Sequence, residues 1–176
     1  QRSLTEETRN LVTALRRPEV RGQWGEMTLR RLVELAGMVD RCDFYEQESY
    51  DTEQGKKRPD MIVRMPNGRE LVVDVKTPLD AYLTAIEATD EDARAAAFAD
   101  HARKVRARMQ ELASKGYWKL LESSPEFVVL FLPGEQFLGA ALDLDPRLVE
   151  DALMHNVVIA TPTNLLALLK TIAYGW

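Results

Sequence analysis

A β-hairpin centred on Pro66-Asn67-Gly68 is the feature that most restricts how this chain of 176 residues folds. Apolar and polar residues alternate on both sides of the turn, which is typical of antiparallel strands. Because proline cannot adopt a positive φ angle, a two-residue type I′ turn beginning at Pro66 is excluded. A type I turn followed by Gly68 in the left-handed region fits instead. It predicts a three-residue hairpin that pairs Met65 with Arg69.

The hairpin register predicts which side chains share a face. Arg64 lies opposite Glu70 near the turn, and Asp60 lies opposite Asp74 at the other end of the ladder. Because side chains alternate between the two faces, Lys76 shares the face of Asp74. The sequence therefore predicts two carboxylates and one ammonium together at one end of the hairpin. A shift of one residue in the register would separate them.

A divalent cation would account for the two opposed carboxylates. Like charges at facing positions destabilise a sheet and raise one carboxyl pKa unless a cation intervenes. Oxygen ligands of this kind suit Mg²⁺ or Mn²⁺, and Lys76 would then orient or deprotonate a bound water. The alternative is that Asp60 and Asp74 are solvated strand-end residues with Lys76 as an ion-pair partner. We favour the metal site, because Asp74 and Lys76 lie in an otherwise apolar strand where burying charge needs a reason.

Hydrophobic periodicity predicts alternating helices and strands in the rest of the chain. The predicted helices are 4–17, 23–36, 79–121 with breaks near Thr89 and Gly116, 135–155 with a break near Pro146, and 164–174. The predicted strands are 43–50, two strands within 59–76, 127–132 and 157–160. An early hairpin followed by strand–helix–strand crossovers predicts an α/β fold with a mixed β-sheet flanked by helices. We expect residues 1–19 to form an N-terminal helix and 20–176 to form one α/β domain. The N-terminal helix is either the end of a coiled coil or a packed terminal helix.

Composition and charge exclude several classes of protein. A net charge of −5 argues against a generic nucleic-acid coat, and the single cysteine, Cys42, excludes a disulfide within the chain. No apolar run reaches the roughly 18 residues that would span a membrane. The charge is also segregated, because residues 101–119 hold six basic residues and one acid, whereas 120–151 hold seven acids and one base.

The basic residues suggest where a nucleic acid would bind. Arg103, Lys104, Arg106 and Arg108 form either a solvated helix face or a stripe that contacts phosphates. Lys56, Lys57 and Arg58, in the loop that leads into the hairpin, are further candidates for contacts with a DNA backbone.

Several motifs along the chain carry a family resemblance. Pro59-Asp60 followed by Asp74-Val75-Lys76 on the next strand resembles the PD-(D/E)xK nuclease superfamily, whose core is a restriction-endonuclease-like mixed sheet. The wider set of motifs resembles the RmuC family of bacterial DNA recombination proteins. It comprises Gly22–Glu26, Arg58–Met61, Val72–Leu79, Phe131–Glu135 and Ala160–Thr163.

The resemblance implies a metal-dependent DNA nuclease domain that acts in recombination. By position it makes Glu26, Asp60 and Asp74 the expected metal ligands and Lys76 the expected catalytic lysine. Glu26 also lies at the edge of the apolar arc of its helix. Gln47 and Tyr82 are expected neighbours of the site. The alternative is a catalytically silent DNA-binding or scaffold module that retains the nuclease fold.

The resemblance also implies a cellular setting. The chain begins at Gln1 and not at Met, so we expect it to be part of a longer protein. Such proteins typically carry an N-terminal membrane anchor and a long coiled coil. We therefore expect a cytoplasmic domain that itself makes no membrane contact, with DNA as its partner and the N-terminal helix as a candidate contact between copies.

Overall fold

The computed structural model describes residues 10, 14, 17–45, 59–76, 79–114 and 127–176. Its strands are β1 (Cys42–Phe44), β2 (Met61–Arg64), β3 (Glu70–Val75), β4 (Val128–Phe131) and β5 (Val157–Ala160). They form one five-stranded sheet in the order β1-β2-β3-β4-β5. The first three strands are antiparallel and the last three are parallel, which confirms the predicted mixed sheet.

The hairpin between β2 and β3 has the predicted turn, and its ladder has the predicted register from the pair Arg64 and Glu70 to the pair Met61 and Val73. The ladder stops short of the predicted pair Asp60 and Asp74, because the Asp60 amide donates to the carbonyl of Val73, which already pairs with Met61. Gly68 has a φ angle of 80° and donates its amide hydrogen to the carbonyl of Met65 at 3.1 Å. The Met65 amide in turn donates to the carbonyl of Arg69 at 2.8 Å, as the three-residue loop requires.

Six α-helices of the described residues flank the sheet. They are α1 (Pro18–Leu35), α2 (Leu79–Glu87), α3 (Glu91–Ser114), α4 (Glu135–Leu144), α5 (Leu148–Met154) and α6 (Pro162–Tyr174), with a 3₁₀ turn at Val39–Arg41. Helix α1 begins about five residues earlier than the sequence predicts. Pro18 accounts for the difference, because proline fits the first turn of a helix, where no amide hydrogen is needed. The predicted breaks near Thr89 and Pro146 are confirmed.

The helices cover both faces of the sheet. Helices α1 and α6 pack on one face, where Leu71 and Val73 of β3 point. Helices α3, α4 and α5 pack on the other face, together with Val72. Because side chains alternate along a strand, Asp74 points toward α3, into an otherwise apolar layer. Strand β4 is buried along its whole length, as its continuous apolar sequence predicts.

Some predictions lie on residues outside the described ranges. Of the predicted N-terminal helix, Asn10 and Ala14 are described and are helical. The predicted loop that holds Lys56, Lys57 and Arg58 and the predicted break at Gly116 lie outside, and the division at 19 and 20 stays a prediction. Among the described residues, no helix combines the length and the apolar character needed to cross a membrane.

Candidate functional site

Asp74 is a fully buried carboxylate held by a guanidinium. Its side chain is 0% exposed, and its Oδ2 atom accepts hydrogen bonds from Arg108 Nη2 at 2.6 Å and from Arg108 Nε at 3.2 Å. Arg108 also pairs through Nη1 with Glu111, one turn further along α3, at 3.0 Å. A carboxylate in an apolar layer requires such a partner, because an unpaired buried charge costs several kcal/mol.

Asp60 lies immediately beyond the last pair of the hairpin ladder. Its amide donates to the carbonyl of Val73 at 3.1 Å, and its own carbonyl accepts the amide hydrogen of Tyr45 at 3.0 Å. The buried Asp60 carboxylate turns toward β3, where Oδ2 accepts the amide hydrogen of Val75 at 2.7 Å. This hydrogen bond anchors the carboxylate to the residue next to Asp74, so both acids lie at the same end of the hairpin.

Lys76 follows directly after β3. Its amide donates to the carbonyl of Phe131 at 3.0 Å, which extends the parallel contact with β4 by one residue. The side chain is half-buried. Burial lowers the pKa of Lys76, the nearby Arg108 lowers it further, and the carboxylates of Glu111 and Asp74 partly oppose this shift. The ammonium therefore lies in a poorly solvated environment, near two guanidinium groups and two carboxylates.

A cleft of about 350 Å³ opens beside Lys76. Its charged lining consists of Arg21, Lys76, Asp80, Lys104, Arg108 and Glu111. Helix α1 contributes Arg21, which forms an ion pair with Asp80 at the start of α2. The cleft thus lies between residues of three helices, at the end of β3 where the two buried carboxylates lie.

Glu26 does not join the two aspartates in a cluster. Its Oε1 atom accepts a hydrogen bond from Arg30 Nη2 at 3.2 Å, and the Arg30 guanidinium stacks on Phe44, 4.3 Å from the ring centroid. Helix α1 packs on the sheet face opposite to that of Asp74. Among the described residues, no group of three or more His, Cys, Asp or Glu side chains is arranged to hold a metal ion.

Comparison with known proteins identifies the family. The RmuC family model matches residues 1–176. The chain belongs to the RmuC family. It is 43% identical to a DNA recombination protein RmuC homolog of Zymomonas mobilis, over 100% of this chain and 40% of the relative. It is 40% identical to a homolog of Chlamydia pneumoniae, over 100% of this chain and 41% of the relative.

More distant RmuC proteins match in the same way. The DNA recombination protein RmuC of Escherichia coli K12 is 34% identical over 98% of this chain and 37% of its own length. The chain therefore spans about 40% of the curated relatives that it matches. No solved structure is significantly similar to it.

Tyr82 of this RmuC domain lies in an aromatic cluster. Its ring centroid is 5.1 Å from that of Phe137, 5.7 Å from that of His101 and 6.1 Å from that of Phe98. The buried His101 donates a hydrogen bond from Nε2 to the carbonyl of Phe137 at 2.8 Å. The contacts of Tyr82 therefore lie within the packing of α2, α3 and α4. The other expected neighbour, Gln47, lies outside the described residues, as do Lys56, Lys57 and Arg58.

The basic residues of α3 do not share one face. Lys104 and Arg108, four positions apart, line the cleft. Arg106 lies about 200° around the helix from Lys104 and points toward α5. There it binds Asp145 at 2.6 and 2.9 Å and Asp151 at 2.8 Å. The basic helix and the acidic segment that follows it therefore neutralise each other in part.

The two other candidates in the basic stripe have local partners. Arg103 forms an ion pair with Asp100 on the same helix, and Lys104 lies 3.2 Å from that carboxylate. The side chain of Arg103 is exposed. Its proposed contact with DNA stays a prediction, as does that of Arg106.

Sequence reasoning did not identify Arg21, Asp80 or Glu111 as parts of the site. The position of Glu111 three residues after Arg108 is a spacing that favours an ion pair on a helix. Arg21 and Asp80 are separated by 59 positions and meet only because α1 reaches the start of α2. No local pattern marks that contact.

Proposed function

We propose that this RmuC domain is a metal-dependent nuclease that hydrolyses phosphodiester bonds of DNA in recombination. Its relatives carry the name DNA recombination protein RmuC, and because the chain spans about 40% of their length, the proposal concerns this domain alone. One observation supports it most strongly. Asp60, Asp74 and Lys76 lie at one end of the β2–β3 hairpin, and Lys76 lines a cleft next to the buried Asp74.

The donor set fits a cation held by two carboxylates. Mg²⁺ and Mn²⁺ bind oxygen ligands, and Mg²⁺ usually takes one or two carboxylates while water fills its other positions. Asp60 and Asp74 would hold the ion, whereas Glu26 pairs with Arg30 on α1. When bound, such an ion polarises a phosphoryl oxygen and lowers the pKa of water.

The chain's own residues would bind and orient the phosphodiester. In hydrolysis a water oxygen forms a bond to phosphorus, one P–O ester bond breaks, and a proton reaches the leaving oxygen. Negative charge grows on the phosphoryl oxygens during this step, and fixed positive groups in a water-poor site stabilise it. Lys76 is such a group, since its half-buried side chain lines the cleft at the end of β3 together with Arg21 and Arg108. Burial of Asp74 under α3 keeps bulk water from one side of the site.

The arrangement also supports the proposed membership of the PD-(D/E)xK superfamily. Pro59-Asp60 precedes β2 and Asp74-Val75-Lys76 ends β3, on antiparallel neighbours within a mixed sheet. Strand β3 also pairs in parallel with β4, so the acidic strand lies in the centre of the sheet. The placement of the two motifs on neighbouring strands of a mixed sheet is what the resemblance implies.

A second candidate function is a catalytically silent module that binds DNA or acts as a scaffold. One observation favours it, because Arg108 takes the position at Asp74 Oδ2 where a metal-dependent site would need a cation. The Arg108 guanidinium compensates the charge of Asp74, but it cannot activate water as a bound metal ion would. This candidate predicts salt-sensitive binding of DNA without cleavage.

A cleavage assay separates the two candidates. Purified protein is incubated with single-stranded, duplex and branched DNA in Mg²⁺, in Mn²⁺ and in EDTA. We expect cleavage that requires the metal and is lost in Asp74→Asn and Lys76→Ala. Lys170→Ala is the matched control, because Lys170 is an exposed residue on α6. Folded protein that cleaves none of these substrates would refute the nuclease and leave the silent module.

A further inference from the structure

The cleft beside Lys76 carries more positive than negative charge. Four cations, Arg21, Lys76, Lys104 and Arg108, face two carboxylates, Asp80 and Glu111. The lining thus carries two more cations than carboxylates, and the buried Asp60 and Asp74 lie behind it at the end of β3. A cleft of about 350 Å³ is also within the range of small-ligand sites, about 300–1,000 Å³.

Within the part of the chain that the structure describes, Lys76 differs from the other three cations of the cleft, each of which pairs with a carboxylate. Among the described residues, its Nζ atom forms no ion pair within 4.0 Å and no hydrogen bond, although the side chain is half-buried. The cleft wall prevents full hydration of the ammonium, which would otherwise compensate for the lack of a counter-ion. A partly desolvated ammonium beside two guanidinium groups gains free energy when an anion binds to it.

Arg21 and Arg108 have partners that an anion can replace at little cost. Arg21 pairs with Asp80, whose side chain is 56% exposed, and Arg108 pairs with Glu111, whose side chain is 51% exposed. Ion pairs with such exposed carboxylates contribute about 0–1 kcal/mol. A guanidinium binds phosphate through its N–H donors, so Arg21 can exchange Asp80 for a phosphate, and Arg108 can do so with the Nη1 atom that pairs with Glu111.

We propose that this cleft is a phosphate-binding subsite, in which Arg21 and Arg108 join Lys76 around one phosphate group of a DNA strand. The phosphate is either the 5′-terminal phosphate or an internal phosphodiester, which present the same oxygens. The inference rests on the proposed function in taking DNA as the ligand, but it requires neither metal nor cleavage. Arg108 keeps its two hydrogen bonds to Asp74 and uses Nη1, now on Glu111, for the phosphate.

The test measures DNA binding in EDTA, where cleavage is absent. Fluorescence anisotropy compares 5′-phosphorylated with 5′-hydroxyl single-stranded oligonucleotides over a range of salt concentrations, with inorganic phosphate as a competitor. Arg21→Gln is the main variant. Arg31→Gln is the matched control, because Arg31 lies on the same helix and pairs with Glu34 away from the cleft. Arg108→Lys keeps a positive charge near Asp74 but removes the guanidinium donors that would reach the phosphate. It provides a second test of the subsite if Arg21→Gln fails to fold.

We expect Arg21→Gln to weaken binding about tenfold and to reduce the salt dependence by about one phosphate contact. Arg31→Gln should bind within about twofold of wild type, as expected for an exposed pair. A loss confined to the 5′-phosphorylated oligonucleotide identifies the terminal phosphate, and an equal loss for both identifies an internal one. Wild-type affinity and salt dependence in both Arg21→Gln and Arg108→Lys would overturn the subsite.

The outcome is independent of the nuclease assay. Weakened binding in Arg21→Gln together with no metal-dependent cleavage by wild type would support the subsite and reject the enzyme. Metal-dependent cleavage together with unchanged binding in both variants would reject the subsite alone.

Discussion

Arg108 donates two hydrogen bonds to one oxygen of Asp74, joining the middle of α3 to the end of β3. The Asp74 side chain is 0% exposed and that of Arg108 is 15% exposed, so water screens this ion pair poorly. The pair therefore has two roles. Arg108 compensates the negative charge of Asp74 in the layer between the sheet and α3. It also occupies the Asp74 oxygen to which a metal ion would otherwise bind.

The first prediction concerns the stability of this pair. Arg108→Gln removes the charge that compensates Asp74, and we expect the free energy of unfolding to fall by about 3 kcal/mol in EDTA. The double variant Asp74→Asn/Arg108→Gln should recover much of this loss, since it leaves no buried charge without a partner. Urea unfolding of wild type, both single variants and the double variant gives the coupling free energy. Additive losses in the double variant would contradict the prediction.

The second prediction concerns divalent cations. Because Arg108 and a metal ion compete for Asp74, Mg²⁺ or Mn²⁺ should raise the melting temperature of Arg108→Gln more than that of wild type. The expected stabilisation is about 1 kcal/mol when the free cation is at roughly five times its Kd. Thermal unfolding with the cation and with EDTA measures it. Asp74→Asn/Arg108→Gln is the control, and an equal shift in that variant would place the bound cation elsewhere.

The hairpin shows what local sequence determines. Pro66 excludes the tightest turn and Gly68 supplies the positive φ angle, so the loop length and the register follow from five residues. The register then brings Asp60 and Asp74 to one end of the hairpin. These features were predictable because they depend on backbone conformations that only certain residue types adopt.

The other half of the site depends on packing between distant segments. Arg108 and Asp74 are 34 positions apart, and their contact follows from the way in which α3 crosses the sheet. The helix wheel of α1 gives the position of Glu26 on its helix but not the sheet face on which α1 packs. The positive net charge of residues 101–119 likewise did not reveal that Arg106 faces Asp145.

A third prediction tests the turn that sets the register. Gly68→Ala should lower the free energy of unfolding by about 1 kcal/mol, because alanine is strained at a φ angle of 80° although nothing lies within 4 Å of the added Cβ atom. Gly139→Ala is the matched control. Gly139 lies inside α4, also with open space around it, so alanine should stabilise the protein there by roughly 0.5–1 kcal/mol. Chemical denaturation measures both, and equal effects would contradict the prediction.

The fourth prediction concerns pH and the network that anchors α3 to α5. Hydrogen bonds from Arg106 hold the pKa of Asp145 below its ordinary value of 3.8. A carboxyl group with a lowered pKa in the folded state contributes stability that is present above its unfolded pKa and is lost as the pH falls through its folded pKa. Asp145→Asn should therefore cost about 1 kcal/mol at pH 7, a modest value because the pair is partly exposed.

The difference between wild type and Asp145→Asn should shrink as the pH falls below about 4 and vanish once Asp145 is protonated in the folded protein. Asp143→Asn is the control. Asp143 is an exposed residue in the last turn of α4, two positions before Asp145, and it makes no ion pair with the described residues. Urea unfolding at a series of pH values measures both differences. If the cost of Asp145→Asn stayed constant down to acidic pH, the contribution of Asp145 would arise from packing and not from its charge.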